Sequence, residues 1–349
     1  MKSFNKTITV LSGDIGGTNT RLQITEYSKN NAKILFAKKY LAVDFDSLSA
    51  VINQFILASK INKKLIQSAC IAAAGPVNNG EIEFTNLPWN LTEKELSAVL
   101  ALPLERVKLI NDFTAIGYGL ESLSQNSMVC LQKSVVNTNA PIGIIGAGTG
   151  IGMSIVVKTD KRTTVYPSEG GHQDFAPTDD EQIALFQFLK KKLHRVSMER
   201  ICCGPGLVNI YKYVAANPLY NQRESQALKR ELYRGADPAQ IISYYAIEKQ
   251  DPMALRAVDI FIHVYGAIAG NFALTTLPRG GLYIVGGIAP KLITQMQDGR
   301  FLKAFSDKGR MSELMREFPV YVVLDTDVGT KGATTFALSL CEAKTLRDE

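Results

Sequence analysis

A carboxylate that could act as a general base lies in the segment INDFTA, residues 110–115. Asn111 and Asp112 directly follow residues 107–110, VKLI, which are predicted to be a buried strand. The carboxyl end of such a strand is where α/β sheets place ligand-binding residues. A carboxylate there could accept a proton from a hydroxyl nucleophile. Asp is also a favoured helix N-cap, so the residues alone leave both interpretations open.

A second candidate site combines a carboxylate and an imidazole in EGGHQDFAP, residues 169–177. Glu169 and His172 are separated by two glycines, so both side chains could face one pocket and bind the vicinal hydroxyl groups of a sugar. A satisfied core histidine is the alternative. Farther along, Ser197 could cap a predicted helix, and Glu199 in its first turn is by itself typical of ordinary helix chemistry.

A glycine-rich turn separates two predicted strands in SGDIGGTNTRLQI, residues 12–24. Gly16 and Gly17 permit positive φ angles and close approach of backbone N–H groups to an anion. Thr18 adds a further donor. Asp14 would repel phosphate but suits a Mg²⁺ ion, bound directly or through water. An ordinary hairpin is the alternative for this single turn.

A second glycine turn, GAGTGIG at residues 146–152, also lies between two predicted strands. Ile151 occupies the position where a Rossmann fingerprint requires glycine, and a strand rather than a helix is predicted to follow. Both features argue against a dinucleotide-binding fold and a hydride-transfer enzyme. The chain also lacks a P-loop sequence. Two such hairpins could contact one polyphosphate from two sides, and their repetition suggests two related lobes.

The predicted elements that must position these residues are strands and helices in both halves of the chain. A capping box, TEKE at residues 92–95, predicts a helix start. Other helices are predicted at about 46–60, 180–194, 206–216, 224–234, 238–248, 251–276 and 331–343, and further strands at 68–74, 282–285 and 320–324. This order predicts α/β lobes that flank a cleft.

The composition restricts the class of protein. A length of 349 residues suggests two domains, and 46% hydrophobic with 21% charged residues is normal for a globular chain. The net charge of +6 includes no block of five like charges, so nucleic-acid binding is not expected. Five cysteines without a C-x-x-C predict neither a disulfide framework nor a zinc site. Neither a signal peptide nor an 18-residue apolar window is apparent, which predicts a cytoplasmic protein without membrane spans.

Seven segments together resemble the bacterial glucokinases of the hexokinase–actin–chaperone ATPase superfamily. In chain order they are GDIGGTNTRL, TNLPWN, INDFTAIGYG, GAGTGIG, EGGHQDFAP, ERICCGPGLVNIY and GGIAPK. The resemblance extends from about residue 8 to about residue 340. It implies two α/β lobes of the ribonuclease H-like, actin-like ATPase fold, each with a five-stranded mixed sheet and flanking helices, and a ligand cleft between them. The expected lobes are a smaller one at 1–112 and a larger one at 113–349, with the C-terminal helix able to return to the smaller lobe.

The resemblance also assigns roles residue by residue. Asp112 matches the catalytic base, and Asp14 a residue that helps to place Mg²⁺. The segments that match nucleotide-binding loops contain Gly13, Asp14, Ile15, Gly16, Gly17, Thr18, Gly148, Thr149, Gly286 and Gly287. The residues that match sugar ligands are Asn111, Asp112, Glu169, His172, Glu199 and Asn86. No cysteine lies between His172 and Cys202, so the zinc motif of the related ROK sugar kinases is absent, and the doublet Cys202-Cys203 has no assigned role.

The activity implied by the resemblance is phosphorylation of D-glucose at its 6-hydroxyl by MgATP, giving glucose 6-phosphate and ADP, the first step of glycolysis. A cytoplasmic homodimer is expected. One alternative is a kinase for another hexose, such as mannose or fructose. A non-catalytic sugar sensor is the second alternative, and the presence of both Asp14 and Asp112 argues against it.

Overall fold

A computed structural model of the chain describes residues 7–16, 19–28, 31–83, 89–159, 162–220, 225–235 and 237–342. It divides into two compact units. The first comprises Met1–Ser124 together with Asp327–Glu349, and the second comprises Gln125–Thr326. The boundary predicted after residue 112 therefore falls inside the first unit, and the C-terminal helix belongs to that unit.

The described part of the first unit contains eight strands and four helices. They are β1 Ile8–Ile15, β2 Asn19–Ser28, β3 Asn31–Leu41, α1 Leu48–Ser59, β4 Ile66–Ala73, β5 Val77–Asn78, β6 Glu81–Glu83, β7 Asn90–Thr92, α2 Glu93–Leu100, β8 Val107–Asn111, α3 Asp112–Gly119 and, from the end of the chain, α12 Val328–Glu342. A three-stranded sheet, β5-β6-β7, accompanies the main sheet.

The main sheet of the first unit has the order β3-β2-β1-β4-β8 among the described residues. β1 is antiparallel to β2 and parallel to β4, which is in turn parallel to β8. Successive β1 residues face opposite sides of the sheet. Leu11 belongs to the apolar cluster that includes α1 and α2, whereas Val10 belongs to the cluster that includes α12. Helices therefore cover both faces, and the nearly continuous burial of β4 follows from this.

Local sequence signals explain several helix starts. The predicted capping box is confirmed, because Thr92 Oγ1 accepts a hydrogen bond from Glu95 N and the Glu95 carboxylate accepts one from Thr92 N. Ser47 caps α1, so this helix begins at Leu48 rather than at the predicted residue 46. Asp251 caps the longest helix of the second unit, in front of a proline that suits a first helical turn.

The described part of the second unit contains six strands and eight helices. They are β9 Met128–Gln132, β10 Ile142–Ala147, β11 Ile151–Lys158, β12 Thr163–Ser168, α4 Asp180–Lys190, α5 Gly204–Ala216, α6 Gln226–Arg234, α7 Pro238–Ile247, α8 Pro252–Thr276, β13 Leu282–Val285, α9 Ile293–Gln297, α10 Arg300–Ser306, α11 Ser312–Met315 and β14 Val320–Val323.

The sheet of the second unit has the order β12-β11-β10-β13-β14-β9 within the described chain. The expectation of five strands is wrong for this unit, because β9 adds an antiparallel strand beside β14. β10, β13 and β14 run parallel, and β11 and β12 continue the sheet antiparallel. The predicted α/β class with mixed sheets and flanking helices is confirmed.

Helix α8 is a buried helix of the second unit's core. It is long and apolar enough to cross a membrane by length and composition, with a mean hydropathy of 1.5 over 18 residues, and 78% of that window is buried inside the protein. Every 18-residue window of α8 contains Asp259 and His263, so this helix has no run of 18 consecutive apolar residues. The side chains of α8, including Phe261 and Tyr265, belong to the apolar cluster that also contains β10 and β13 residues, as expected of a core helix.

Candidate active site

The junction between β8 and α3 places Asn111 and Asp112 side by side. Asn111 is the N-cap of α3: its Oδ1 accepts hydrogen bonds from Phe113 N at 2.9 Å and Thr114 N at 3.2 Å. Its Nδ2 donates to the carbonyl oxygen of Gly75 at 3.2 Å. The capping role considered for Asp112 therefore belongs to its neighbour. Asp112 is the first residue of the helix, where the helix dipole favours a negative charge.

Glycines fix the position of α3 against α12. A Cβ atom on Gly332 would overlap the carbonyl oxygen of Ala115, and one on Gly119 would overlap the carbonyl oxygen of Val328. The two helix backbones thus approach each other at both points. These two contacts fix α3, the helix that begins with Asp112, against α12. A shift of either helix would lose close packing at Gly332 or at Gly119.

Asp14 lies at the end of β1 and pairs with Arg21 of β2. Burial of its carboxylate raises the pKa of Asp14 from 3.8 to about 6; the Arg21 guanidinium lowers it and the Asp327 carboxylate raises it. Arg21 and Asp327 form an ion pair. The start of α12 also lies close, because a Cβ on Gly329 would be 3.0 Å from Asp14 Oδ2. Arg21 and Asp327 were not identified from the sequence. The only available signal was the predicted hairpin, whose pairing places Arg21 opposite Asp14.

The residues near Asp14 fit a magnesium ion of the kind that accompanies nucleotides. Among the described residues, no group of three or more His, Cys, Asp or Glu side chains could hold a metal ion. Mg²⁺ commonly takes one or two carboxylates and completes its shell with water and substrate phosphates. A single carboxylate such as Asp14 is consistent with that type of site and not with a closed protein cage.

The first glycine turn is described only in part. Gly16 N donates to the carbonyl oxygen of Asn19 at 2.9 Å, which closes the turn between β1 and β2. Gly13 is a packing position, because a Cβ there would lie 2.7 Å from side-chain atoms of Ile71 and Leu22. Ile15 is fully buried, so only its backbone could meet a ligand. The predicted ligands Gly17, Thr18 and Asn86 lie outside the described residues.

The second glycine turn connects β10 and β11, whose last pair is Ala147 opposite Ile151. Gly148 N donates to the carbonyl oxygen of Gly150 at 2.8 Å. The space around Gly148 is open, since a Cβ there would meet no heavy atom within 4 Å. Thr149 is exposed at the tip. A turn with this open surface can present the Thr149 hydroxyl to an anion.

Gly286 and Gly287 follow β13 and are exposed. Gly286 has a φ of 90°, and a Cβ on it would lie 2.5 Å from the carbonyl oxygen of Ala147. Glycine is required there both by the backbone conformation and by the close approach. The structure thus brings the Gly286 turn beside the end of β10, next to the second glycine turn.

Glu169, His172 and Glu199 are brought together in the second unit. His172 Nε2 lies 3.8 Å from Glu169 Oε2, and His172 Nδ1 lies 4.0 Å from Glu199 Oε1. The His172 side chain is 59% exposed and that of Glu169 is 65% exposed, so the core-histidine alternative is wrong. Two carboxylates around an imidazole offer donors and acceptors that match adjacent sugar hydroxyl groups.

Glu199 joins this cluster through a contact that the sequence does not indicate. Glu199 lies in the helical turn Met198–Arg200. The Ser197 side chain, which was considered as a cap, makes no capping hydrogen bond to this turn. Glu199 Oε2 accepts a hydrogen bond from Ile151 N at 3.2 Å. A Cβ on Gly150 would overlap the same oxygen. The carboxylate therefore lies against the second glycine turn, 48 residues away in the chain.

Cys203 belongs to the doublet Cys202-Cys203, which the sequence left without a role. It is the N-cap of α5, and its Sγ accepts a hydrogen bond from Gly206 N at 3.3 Å. The following Gly-Pro-Gly is the available signal, because a proline such as Pro205 is typical of the first helical turn and so indicates a helix start close to it.

Comparison with known proteins identifies the class and then the family. A crystal structure of a glucokinase from an Antarctic psychrotroph superposes with a TM-score of 0.78 and 29% identity, covering 95% of this chain and 99% of that one. A ROK family glucokinase from Streptomyces griseus, solved in complex with glucose and AMPPNP, has a TM-score of 0.66 at 19% identity and covers 95% and 99%. These neighbours place the fold among sugar kinases of the actin-like ATPase type.

The sequence relationships are more specific than the fold. The glucokinase of Nostoc punctiforme is 40% identical over 348 residues, which is 96% of this chain and 99% of that protein. A model of the family described as Glucokinase matches residues 11–340. The chain belongs to the glucokinase family of enzymes.

Proposed function

We propose that this chain transfers the γ-phosphoryl group of ATP to the 6-hydroxyl of D-glucose and releases glucose 6-phosphate and ADP. Membership of the glucokinase family supports the reaction and its place as the first step of glycolysis. The structural neighbour solved with glucose and AMPPNP supports ATP as the phosphoryl donor. The observation that carries the residue assignment is the position of Asp112 at the carboxyl end of β8, where Asn111 takes the capping role.

Asp112 is the general base of the proposal. As the 6-hydroxyl oxygen of glucose bonds to the γ-phosphorus, the bond from phosphorus to the ADP oxygen breaks and the hydroxyl proton passes to the Asp112 carboxylate. A base in this role commonly contributes about 10²–10⁴-fold in rate. The fixed contact between α3 and α12 supports the role, because a base must be held within hydrogen-bond reach of the proton it removes.

The sugar hydroxyl groups are bound by Asn111, Asp112, Glu169, His172 and Glu199 in this proposal. The clustering of Glu169, His172 and Glu199 supports their role as sugar ligands. The His172 imidazole lies within 4.0 Å of both carboxylates. A sugar without one of the recognised hydroxyl groups leaves a protein group unpaired, which costs about 1–3 kcal/mol. Asn86 remains a further candidate from the resemblance alone.

The nucleotide is bound by the two glycine turns and by Gly286-Gly287. The resemblance assigns residues 13–18 and 148–149 to the phosphates, and the exposed Thr149 at the tip of the second turn supports this assignment. Asp14 would hold Mg²⁺ through its carboxylate or through water. Bound there, the ion would neutralise charge on the phosphate oxygens.

The experiment that tests the proposal measures ADP release from MgATP with and without glucose, and with mannose, fructose and N-acetylglucosamine. Strong stimulation by glucose alone supports the proposal. Stimulation by another sugar instead would keep the mechanism and change the substrate. Folded protein without turnover on any sugar would overturn the enzyme assignment in favour of a sugar sensor.

We also propose a cytoplasmic homodimer, which rests on the resemblance alone. Light scattering coupled to gel filtration tests the assembly: a mass of twice one chain supports it, and a monomer at working concentration contradicts it.

A further inference from the structure

The segment from Glu199 to Gly206 connects a proposed sugar ligand to helix α5. At its centre, the Cys203 thiol donates a hydrogen bond to the backbone carbonyl oxygen of Glu199 at 2.8 Å. The same sulfur accepts one from Gly206 N at 3.3 Å. Cys203 is 1% exposed, so neither bond competes with water. One buried side chain thereby ties the residue that carries the sugar-binding carboxylate to the first turn of the helix.

The same segment also holds the second glycine turn. Gly204 N, one residue after Cys203, donates to the carbonyl oxygen of Gly148 at 2.8 Å. The Glu199 side chain accepts from Ile151 N at 3.2 Å. Glu199, which precedes Cys203, and Gly204, which follows it, therefore both contact the turn proposed to bind phosphate. A displacement of this segment would move the sugar carboxylate and the phosphate turn together.

The two neighbouring cysteines have different surroundings. Cys202 is fully buried in the apolar cluster of the second unit, whereas Cys203 does not belong to that cluster and makes the two hydrogen bonds described above. Burial raises the pKa of the Cys203 thiol to about 11. At neutral pH the group is therefore a protonated thiol that can donate a hydrogen bond, and not a nucleophilic thiolate.

We propose that Cys203 is a positioning residue for phosphoryl transfer. Its two hydrogen bonds hold the backbone of Glu199 and the start of α5, from which the Glu199 carboxylate and Gly204 N contact the turn at 148–151. This inference rests on the proposed function, because it assumes that Glu199 binds glucose and that the turn binds phosphate. A purely structural cap would stabilise α5 without affecting substrate binding. The two roles therefore differ in what happens to KM.

Four variants separate these roles, and each is assayed for unfolding temperature, kcat, and KM for glucose and ATP. Cys203→Ala removes both hydrogen bonds, so KM for glucose rises about 3- to 10-fold, the equivalent of one lost hydrogen bond. Cys203→Ser keeps a donor and an acceptor and restores KM towards wild type. Cys203→Gly keeps a favourable N-cap but loses the bond to Glu199, so KM rises while the unfolding temperature changes little.

Cys202→Ala is the matched control. It removes core packing at the adjacent position and lowers the unfolding temperature, and it leaves both KM values close to wild type. Wild-type KM in Cys203→Gly, or a rise in Cys203→Ser equal to that in Cys203→Ala, overturns the proposal. An equal rise in Cys202→Ala would also overturn it, because the effect would then be general loss of packing. Turnover of the wild-type enzyme with glucose is measured in the same experiment. If the wild type turns over glucose, a negative result for the variants contradicts this inference and not the proposed function.

Discussion

Replacement of Asp14 by asparagine is expected to stabilise the first unit while it removes the proposed metal ligand. Burial raises the pKa of Asp14 from 3.8 to about 6. Ionisation of this side chain therefore costs folding free energy, because the unfolded state loses its proton more readily than the folded state. Asparagine has nearly the same shape and stays neutral, so it avoids this cost.

The size and pH dependence of the effect follow from the two pKa values. The difference between 3.8 and about 6 corresponds to about 3 kcal/mol at pH 7.5, where the carboxylate is ionised in both states. The penalty is absent below the unfolded pKa and grows as pH rises through the folded one. It amounts to about 1.6 kcal/mol at pH 5 and about 0.6 kcal/mol at pH 4.

Urea unfolding in EDTA, followed by tryptophan fluorescence, measures this effect. Trp89 is the single tryptophan of the chain and is buried in the first unit, with Nε1 donating to the carbonyl oxygen of Phe45. Its emission therefore reports on the unit that contains Asp14. Glu105→Gln is the control, because Glu105 is an exposed carboxylate of the same unit and its neutralisation relieves no burial cost.

Two results would refute this reasoning. One is an Asp14→Asn protein that is no more stable than wild type at pH 7.5. The other is a stabilisation that does not shrink between pH 7.5 and pH 5. If the stabilised variant has lost magnesium-dependent turnover, Asp14 is an example of a functional group kept at a cost in stability.

Three further substitutions test the site. Asp112→Asn removes the base at constant size, so kcat falls about 10²–10⁴-fold while glucose affinity by calorimetry stays near wild type. Gly150→Ala places a methyl group at the Glu199 carboxylate, so KM for glucose rises about tenfold or more in steady-state assays. Gly332→Ala forces α12 from the Ala115 carbonyl, so the free energy of unfolding in urea falls by about 1–3 kcal/mol.

Controls make these outcomes decisive. Gly148→Ala adds a methyl group with no heavy atom within 4 Å, so it leaves KM for glucose unchanged and raises KM for ATP. Equal effects of Gly148→Ala and Gly150→Ala on glucose would contradict the contact with Glu199. Near-normal turnover of Asp112→Asn would remove the base assignment. An unchanged free energy of unfolding in Gly332→Ala would show that the α3–α12 contact contributes nothing.

Much of the candidate site could be predicted from the sequence because its signals are local. The Thr92–Glu95 capping box depends on residues three apart, and the placement of Asn111-Asp112 after a strand depends on the four residues VKLI. The glycine turns are visible because strands must reverse direction through them. The sequence left open whether Asp112 is a cap or a base and did not identify Asn111 as the cap, because both side chains can accept hydrogen bonds from N–H groups at a helix start.

The tertiary structure alone decided the contacts between distant segments. Pairing of β9 with β14 and the hydrogen bond from Ile151 to Glu199 join residues that are far apart in the chain. Such contacts are selected by burial and packing of the whole unit, because no short-range pattern specifies the partner. The sequence by itself determined which chemical groups this protein carries and the turns and caps beside them. The fold decided which of those groups meet, since hydrogen bonds within a turn need only neighbouring residues whereas a shared site needs a packed core to hold its members together.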